Sequence, residues 1–404
     1  MKFFKNTQNR IYLDYASSTP IDAKILERYA ILLRDLYANP HGLHKEGVFS
    51  LEALESARAR IATCINALPR EMFFVSSATE SDNLALLGLV RAVRSNPVSK
   101  SFKDMHVLVS SIEHAGVIEA VKQLEKEGVI VEYIPVTEKG VIDLDLFKKM
   151  LRPTTVLVSV MYVNNEIGTV QPIAEITKIV RHAIKHNRTT GPFPYVHTDA
   201  SQACNYLSLD VQKLGVDLLT FSSGKLYGPK GVGFLFKKRH VYLEPLMFGG
   251  GQEQGIRAST ENVPAIVAAS YAVELAQSLV SKEYERVSHL KHILISELKK
   301  CTPQIIIHGD EGAEYSIPGI VSFSIPNVDS DMIVLYLDAQ GFAVSSKSAC
   351  HADLDEVSHV LRAMYGDRAL SIGGTVRVSL GRATTQKDIV LFAMKLKEIL
   401  PKVQ

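Results

Sequence analysis

From residue 70 to residue 240 the chain alternates short apolar, β-branched runs with longer amphipathic stretches, and no other feature constrains its fold as much. Strand and helix in turn is the pattern of crossover units that build a mostly parallel sheet. The spacing predicts strands over 72–75, 106–110, 129–135, 155–162, 195–198, 218–221 and 233–236. It predicts helices over 80–94, 115–127, 173–187 and 203–214, where apolar residues recur at intervals of three and four. The fold class is therefore α/β, doubly wound, with a mainly parallel sheet. The alternation stops at Phe248-Gly-Gly-Gly-Gln-Glu-Gln-Gly255. Beyond it, 265–300 reads as one long bridging helix, followed by a strand at 320–325, a helix at 331–340, short strands near 342–346 and 375–380, and a last helix at 385–400. We expect a segment 1–20 that packs back on one unit, a large α/β domain over 21–260 and a smaller α+β domain over 261–404.

Composition excludes several classes. With 46% hydrophobic and 22% charged residues in 404, the chain is globular. Forty-five Lys and Arg against 43 Asp and Glu give a charge of +2, too balanced to imply a nucleic-acid partner. The run Lys237-Lys-Arg-His240 reads as a solvated face. Cys64, Cys204, Cys301 and Cys350 form no C-x-x-C, so neither a zinc site nor a disulfide framework is expected, and the first three read as small buried hydrophobes. The pairs His41/His44, His182/His186 and His289/His292 lack a third ligand, so no metal is expected. No secretory leader or membrane-crossing apolar run is read, which makes the cytoplasm the expected location.

In open α/β sheets ligands bind outside the carboxyl ends of the strands. Several such ends are rich here. The first gives Ser76-Ser-Ala-Thr-Glu-Ser-Asp-Asn83, in which Thr79 reads as an N-cap with Asp82 as its acidic partner, making a phosphate seat at a helix N-terminus. Others give Ser110-Ser-Ile-Glu-His114, Val163-Asn-Asn-Glu-Ile-Gly168 and Tyr195-Val-His-Thr-Asp-Ala-Ser-Gln202. The carboxylate of Asp199 could hold a heteroaromatic nitrogen protonated. The last gives Phe221-Ser-Ser-Gly-Lys-Leu-Tyr-Gly228, where glycines bracket Lys225 and let backbone approach a ligand. Neither a Walker loop nor a G-x-G-x-x-G fingerprint is present. An amine, an acid, an aromatic face and phosphate donors from adjacent strand ends are together what pyridoxal phosphate needs.

These segments, with Tyr12-Leu-Asp-Tyr-Ala, Ala38-Asn-Pro, Ser346-Lys-Ser-Ala-Cys350 and Val376-Arg-Val-Ser-Leu-Gly-Arg382, resemble the class V aminotransferase fold type of pyridoxal-phosphate enzymes, and within it the cysteine desulfurases of the NifS/IscS type. The resemblance runs over essentially the whole chain in the family's order. It implies the transferase fold typified by aspartate aminotransferase. It implies Lys225 as the Schiff-base lysine, Asp199 on the pyridine nitrogen, His114 stacked on the ring and moving protons, and Gln202 and Asn165 near the ring hydroxyl. Thr79 and Ser222 would hold the phosphate, with Thr260 reaching the neighbouring subunit's phosphate in a homodimer. Arg377 would clamp the carboxylate of L-cysteine, with Asn39 and Asn165 nearby. Cys350, on a loop, would take the sulfur as a persulfide and pass it to an acceptor protein, a scaffold or sulfurtransferase serving iron–sulfur cluster assembly or tRNA thiolation.

Two departures from the family pattern stand out. Gly224 replaces a histidine credited with a phosphate contact, which predicts weaker cofactor retention. Lys347 replaces a glycine three residues before Cys350. The rival readings are a selenocysteine lyase or other C–S/C–Se lyase of the same fold, and a paralogue without catalysis that acts as a binding partner.

Overall fold

A computed structural model describes residues 10–95, 104–186, 193–312, 314–346 and 358–403. In chain order its strands are β1 (Ile11–Tyr12), β2 (Met72–Val75), β3 (His106–Ser110), β4 (Ile130–Ile134), β5 (Thr155–Ser159), β6 (Tyr195–Asp199) and β7 (Leu218–Ser222). They continue with β8 (Gly233–Lys237), β9 (Ile306–His308), β10 (Ile320–Ser324), β11 (Phe342–Ala343), β12 (Ser345–Ser346) and β13 (Val376–Ser379). The large sheet has the order β2-β8-β7-β6-β5-β3-β4, and only β8 runs antiparallel to its neighbours. All seven expected strands are there.

Both faces of this sheet are covered, so all of its strands except the edge strand β4 are almost wholly buried, and the two-residue period decides which side chain serves which layer. Leu108, Val196 and Leu219 point into one core, while Val107, Val109, Leu157 and Leu218 point into the other. The crossover helices follow their own period. In the helix Ile173–Lys185 the buried residues are Ile173, Ile176, Thr177, Val180 and Ala183, a single stripe.

The second sheet is antiparallel, in the order β12-β13-β10-β9, and β1 pairs with β11 beside it. Residues 11–14 pair with β11 and, through an Asp14 to Ser379 bridge, with β13. The helix Val263–Cys301 serves two cores: Val263 to Ala276 pack with the large sheet, and Val287 to Leu298 pack with β10 and β13. By length and composition alone this helix could cross a membrane, contrary to the expectation that no run was apolar enough, but more than half of its apolar stretch is buried inside the chain.

Three local expectations need correcting. The stretch 203–214 is helical only over Val211–Leu214. Asp210 starts that turn by accepting from the Gln212 and Lys213 N–H groups, and the Gln277 amide takes the carbonyls of Cys204 and Leu207 at 2.8 and 3.3 Å, so tertiary partners replace helical ones upstream. The expected helix 80–94 begins at Ala78 and passes through a π-turn, Leu84–Gly88. There the Gly88 carbonyl accepts from the Glu244 N–H, and a Cβ on Gly88 would lie 2.7 Å from the Glu244 carbonyl oxygen. Lys237 is no solvated charge: it is buried, and its ammonium donates to the Val241 carbonyl while lying 5.3 Å from the Phe73 ring centroid.

Candidate active site

β7 ends in a 3-10 turn, Ser223–Lys225, that turns the Lys225 side chain back toward the N-terminal segment. Its Nζ donates to the carbonyls of Ala16 (2.8 Å) and Ser17 (2.6 Å). Burial foremost, with the Arg377 cation, brings this amine down to about 8 against the opposing pull of Asp199 and Asp14. Near pH 8 a fair share of it is a free base, the form that attacks carbonyl carbon. The Gln202 amide donates to the same Ala16 carbonyl at 2.8 Å, so Gln202 and Lys225 converge on one point.

Asp199 closes the neighbouring strand β6, opposite Thr220 in register, and its Oδ1 accepts from the Ser201 N–H at 2.8 Å. Beneath it lies a buried polar layer. His197 contacts the Ser159 and Thr220 hydroxyls at 2.9 and 3.1 Å, and burial pushes it down to about 3, so it stays neutral. Burial raises Asp82 and Glu113 well above the carboxylate range, and the nearby Asp199 charge adds to both shifts. The layer supplies no positive charge that would compete for Asp199.

His114 caps the helix Ala115–Lys126, its Nδ1 accepting from the Gly116 N–H at 3.0 Å. Thr79 sits one helix away. A Cβ placed on Gly116 would meet His114 Nδ1 at 3.3 Å and Thr79 Oγ1 at 3.4 Å, so the glycine lets two helix starts close on one spot. The Asn83 amide bridges them, donating to the carbonyls of Thr79 (2.9 Å) and Gly116 (3.4 Å). Thr79 itself is not the cap. Ser77 is, accepting from the Glu80 N–H, while the Glu80 carboxylate accepts from the Ser76 N–H at 2.6 Å. Thr79 is thereby an exposed hydroxyl in the first turn, and Asp82 goes to the buried layer.

Arg377, from β13, completes the cluster. Nη1 donates to the Asn165 carbonyl at 2.9 Å, and Nη2 donates to Asp14 Oδ1 at 2.9 Å and to Ser17 Oγ at 2.5 Å. Its buried Nε has no hydrogen-bond partner among the described residues. Asp14 and Ser17 are the residues that sequence reasoning missed, although the motif around Tyr12 held one of them. Ser222 is half-buried at the end of β7. Asn39 is exposed and its Oδ1 accepts from the His41 N–H at 2.9 Å, and among the described residues it makes no hydrogen bond to the cluster. Thr260 is exposed as well, three residues from Arg257, which pairs with Glu80 at 2.9 Å beside Thr79. Cys350 and Lys347 lie outside the described residues. Of the other cysteines, Cys204 is buried, whereas Cys64 and Cys301 are only partly so, and burial raises the thiol pKa of all three, Cys64 to about 11.

The model of the aminotransferase class-V family matches residues 11–392. The chain belongs to that family. Within it, the chain is 37% identical to the cysteine desulfurase IscS of Dictyoglomus turgidum, over 98% of its own length and 96% of the relative's. It is 38% identical to the cysteine desulfurase IscS 1 of Archaeoglobus fulgidus, over 97% and 96%. Among solved structures, a NifS-like protein superposes with a TM-score of 0.87 at 34% identity, covering 98% of this chain and all of that one. A structure of SspA in complex with cysteine gives 0.74 at 32%, over 92% and 99%. The chain is thus grouped with the cysteine desulfurases of the family, and its doubly wound architecture is the family's.

Proposed function

We propose that this protein is a pyridoxal-phosphate-dependent cysteine desulfurase, which converts L-cysteine to L-alanine and leaves the sulfur as a persulfide on Cys350. The observation that carries the reading is Lys225: a desolvated amine at the end of a central strand, with Asp199 on the adjacent strand end and the Arg377 guanidinium within electrostatic reach. The relatives' names and the cysteine bound to SspA support the substrate class.

The donor set fits the cofactor. Lys225 offers a primary amine for its aldehyde, Asp199 a carboxylate for its ring nitrogen, and Thr79, Ser222 and the N–H groups at the Ala78–Asn83 helix start would hold its phosphate. Gln202 and Asn165 would bond the region of its ring hydroxyl, and Thr260 would reach a phosphate from the second subunit of a homodimer. When bound, pyridoxal phosphate supplies an electron sink for the charge left as the substrate's Cα loses its proton.

The chain's own residues do the rest. Arg377, fixed by Asp14, Ser17 and the Asn165 carbonyl, keeps Nε for the substrate carboxylate, with Asn39 and Asn165 nearby. Lys225 and His114 take and return the Cα and Cβ protons. The Cys350 thiolate attacks the substrate sulfur: an S–S bond forms, the C–S bond breaks, and its electron pair goes to the carbon that becomes the alanine methyl. The substrate carbon is reduced and the sulfur is oxidised to the persulfide level, so no external oxidant is needed. We propose a cytoplasmic enzyme, with large and small domains divided near residue 260, that hands its sulfur to a scaffold or sulfurtransferase. The test is mass spectrometry after exposure to L-cysteine. One added sulfur on the Cys350 peptide, absent in Cys350→Ser that retains the cofactor's colour, supports the reading; alanine release without that sulfur defeats it.

A further inference from the structure

Residues 347–357 join two points that are both fixed beside the site. On the amino side, Ser345 and Ser346 of β12 pair with Arg377 and Val376. On the carboxyl side, Ser358 makes two bonds. Its oxygen accepts from the Val360 N–H at 3.1 Å and caps the helix His359–Tyr365, while its proton goes to Glu166 Oε2 at 2.5 Å. The next residue, His359, brings Nε2 to within 2.9 Å of the Glu113 carbonyl.

Glu166 belongs to the turn that carries Asn165. Asn164 shapes that turn: its Oδ1 accepts from the Glu166 and Ile167 N–H groups at 2.9 and 3.0 Å, and its Nδ2 donates to the Ile112 carbonyl at 2.9 Å. The same two elements share an apolar cluster, in which Ile112, Met161 and Ile167 pack on Val360, Leu361 and Met364. An N-cap needs only an acceptor oxygen, so the cap does not explain why Ser358 meets a carboxylate that is 4% exposed. Burying a carboxylate is costly unless it is bonded, and one bond of Glu166 joins the substrate-side turn to the start of the helix beyond Cys350.

We propose that Glu166, acting through Ser358, is a positioning residue that holds the chain beyond Cys350 in register with the turn bearing Asn165. This rests on the desulfurase reading. The test uses cofactor-loaded enzyme and L-cysteine. Ser358→Asp keeps an acceptor for the Val360 N–H, and so the cap, but presents Glu166 with a second carboxylate and no proton. We expect alanine release and sulfur loading on Cys350 to slow roughly 10- to 100-fold, as for loss of one charge-assisted hydrogen bond, while the cofactor's absorbance and the KM for L-cysteine hold. Adding Glu166→Gln to that variant reverses donor and acceptor across the same contact and restores most of the rate. Wild-type rates in Ser358→Asp overturn the proposal. So does slowing that Glu166→Gln does not rescue, or slowing with parallel loss of absorbance, since either assigns the contact to the fold or to cofactor holding. Sulfur on Cys350 of the wild type reads the underlying activity separately: its absence sinks both readings, whereas its presence with an unaffected Ser358→Asp sinks only the positioning role.

Discussion

Lys225 and Lys291 are both amines that burial brings down to about 8, and they occupy opposite kinds of ground. Lys225 stands on a one-turn element at a strand end, bonded to two backbone carbonyls of residues 16 and 17, with Asp14, Asp199 and Arg377 around it. Lys291 stands inside the long helix, bonded to the Ser316 hydroxyl and to the Ile317 carbonyl at 3.2 Å. Those residues pair in turn with the loop 168–170, through Ile317 N–H to the Gly168 carbonyl and Tyr315 carbonyl to the Val170 N–H. A lowered amine pKa is therefore a mark of burial, and the neighbours decide what it is used for. Around Lys225 they are polar groups from three different parts of the chain, the segment 14–17, the end of β6 and β13. Around Lys291 they close a packing joint.

The contrast breaks most sharply under substitution. Lys225→Ala should cut alanine release from L-cysteine by about 10⁴-fold or more, the scale for losing a covalent catalytic group, and should abolish the visible absorbance of the bound cofactor. Lys291→Met should leave both near wild type. Spectra and turnover of the two purified variants check this, and loss of absorbance in Lys291→Met would erase the distinction.

pH reads Lys291 directly. Its pKa is depressed on folding, so between about 8 and 10.5 the unfolded chain holds a proton there that the folded chain does not, and stability must rise with pH across that window. Below about 8 the cost is fully present and constant. The stability of wild type minus that of Lys291→Met should grow by about 3 kcal/mol from pH 8 to 10.5, at 1.36 kcal/mol per unit. Urea unfolding at the two pH values measures it, and a flat difference would mean that Lys291 stays charged in the fold.

Arg377→Lys sharpens the comparison from the other side. It keeps the charge that helps to lower Lys225 but loses the planar fork that meets Asp14, Ser17 and the Asn165 carbonyl together. We expect KM for L-cysteine to rise roughly 10-fold with a smaller change in kcat, the outcome for a binding clamp. A fall in kcat at constant KM would assign the guanidinium to the chemistry instead.

How much of this was legible follows from where the signal lies. The strands of the large sheet announce themselves because covering both faces leaves runs rich in apolar, β-branched residues, although His197, Thr198 and Thr220 interrupt β6 and β7. Lys225 and Asp199 are visible as polar residues that stop such runs. The helices Ala23–Asp35 and Lys45–Cys64 were not foreseen, because the first fully buries only Ile25 and the second buries Gly47, Ser50 and Arg58 among its apolar residues, which blurs the stripe. Thr79 was misread as a cap because Ser76, Ser77 and Thr79 compete there; the pair Ser77 and Glu80 at capping-box spacing was the better signal. The acceptors of Lys225 are backbone carbonyls, which have no side-chain signature at all. Ser358 and Glu166 are 192 positions apart, and only the fold joins them.

The smallest expected effect concerns Gly224, where the family has a histidine on the phosphate. A Cβ built there meets only the Lys230 Cγ, at 3.5 Å, an ordinary contact, so the backbone leaves room for a side chain that the sequence does not supply. The Gly224 carbonyl is already engaged by the Thr19 N–H and hydroxyl, both at 3.1 Å, which fixes the turn without any help from residue 224's side chain. Substitution there should then add a donor while leaving Lys225 in place. Gly224→His should slow cofactor loss on dialysis by a few-fold, the return on one added hydrogen bond of about 1 kcal/mol, with unchanged absorbance at the start. Equal retention in the two proteins would mean that the remaining donors, the buried Ser223 hydroxyl among them, already satisfy the phosphate.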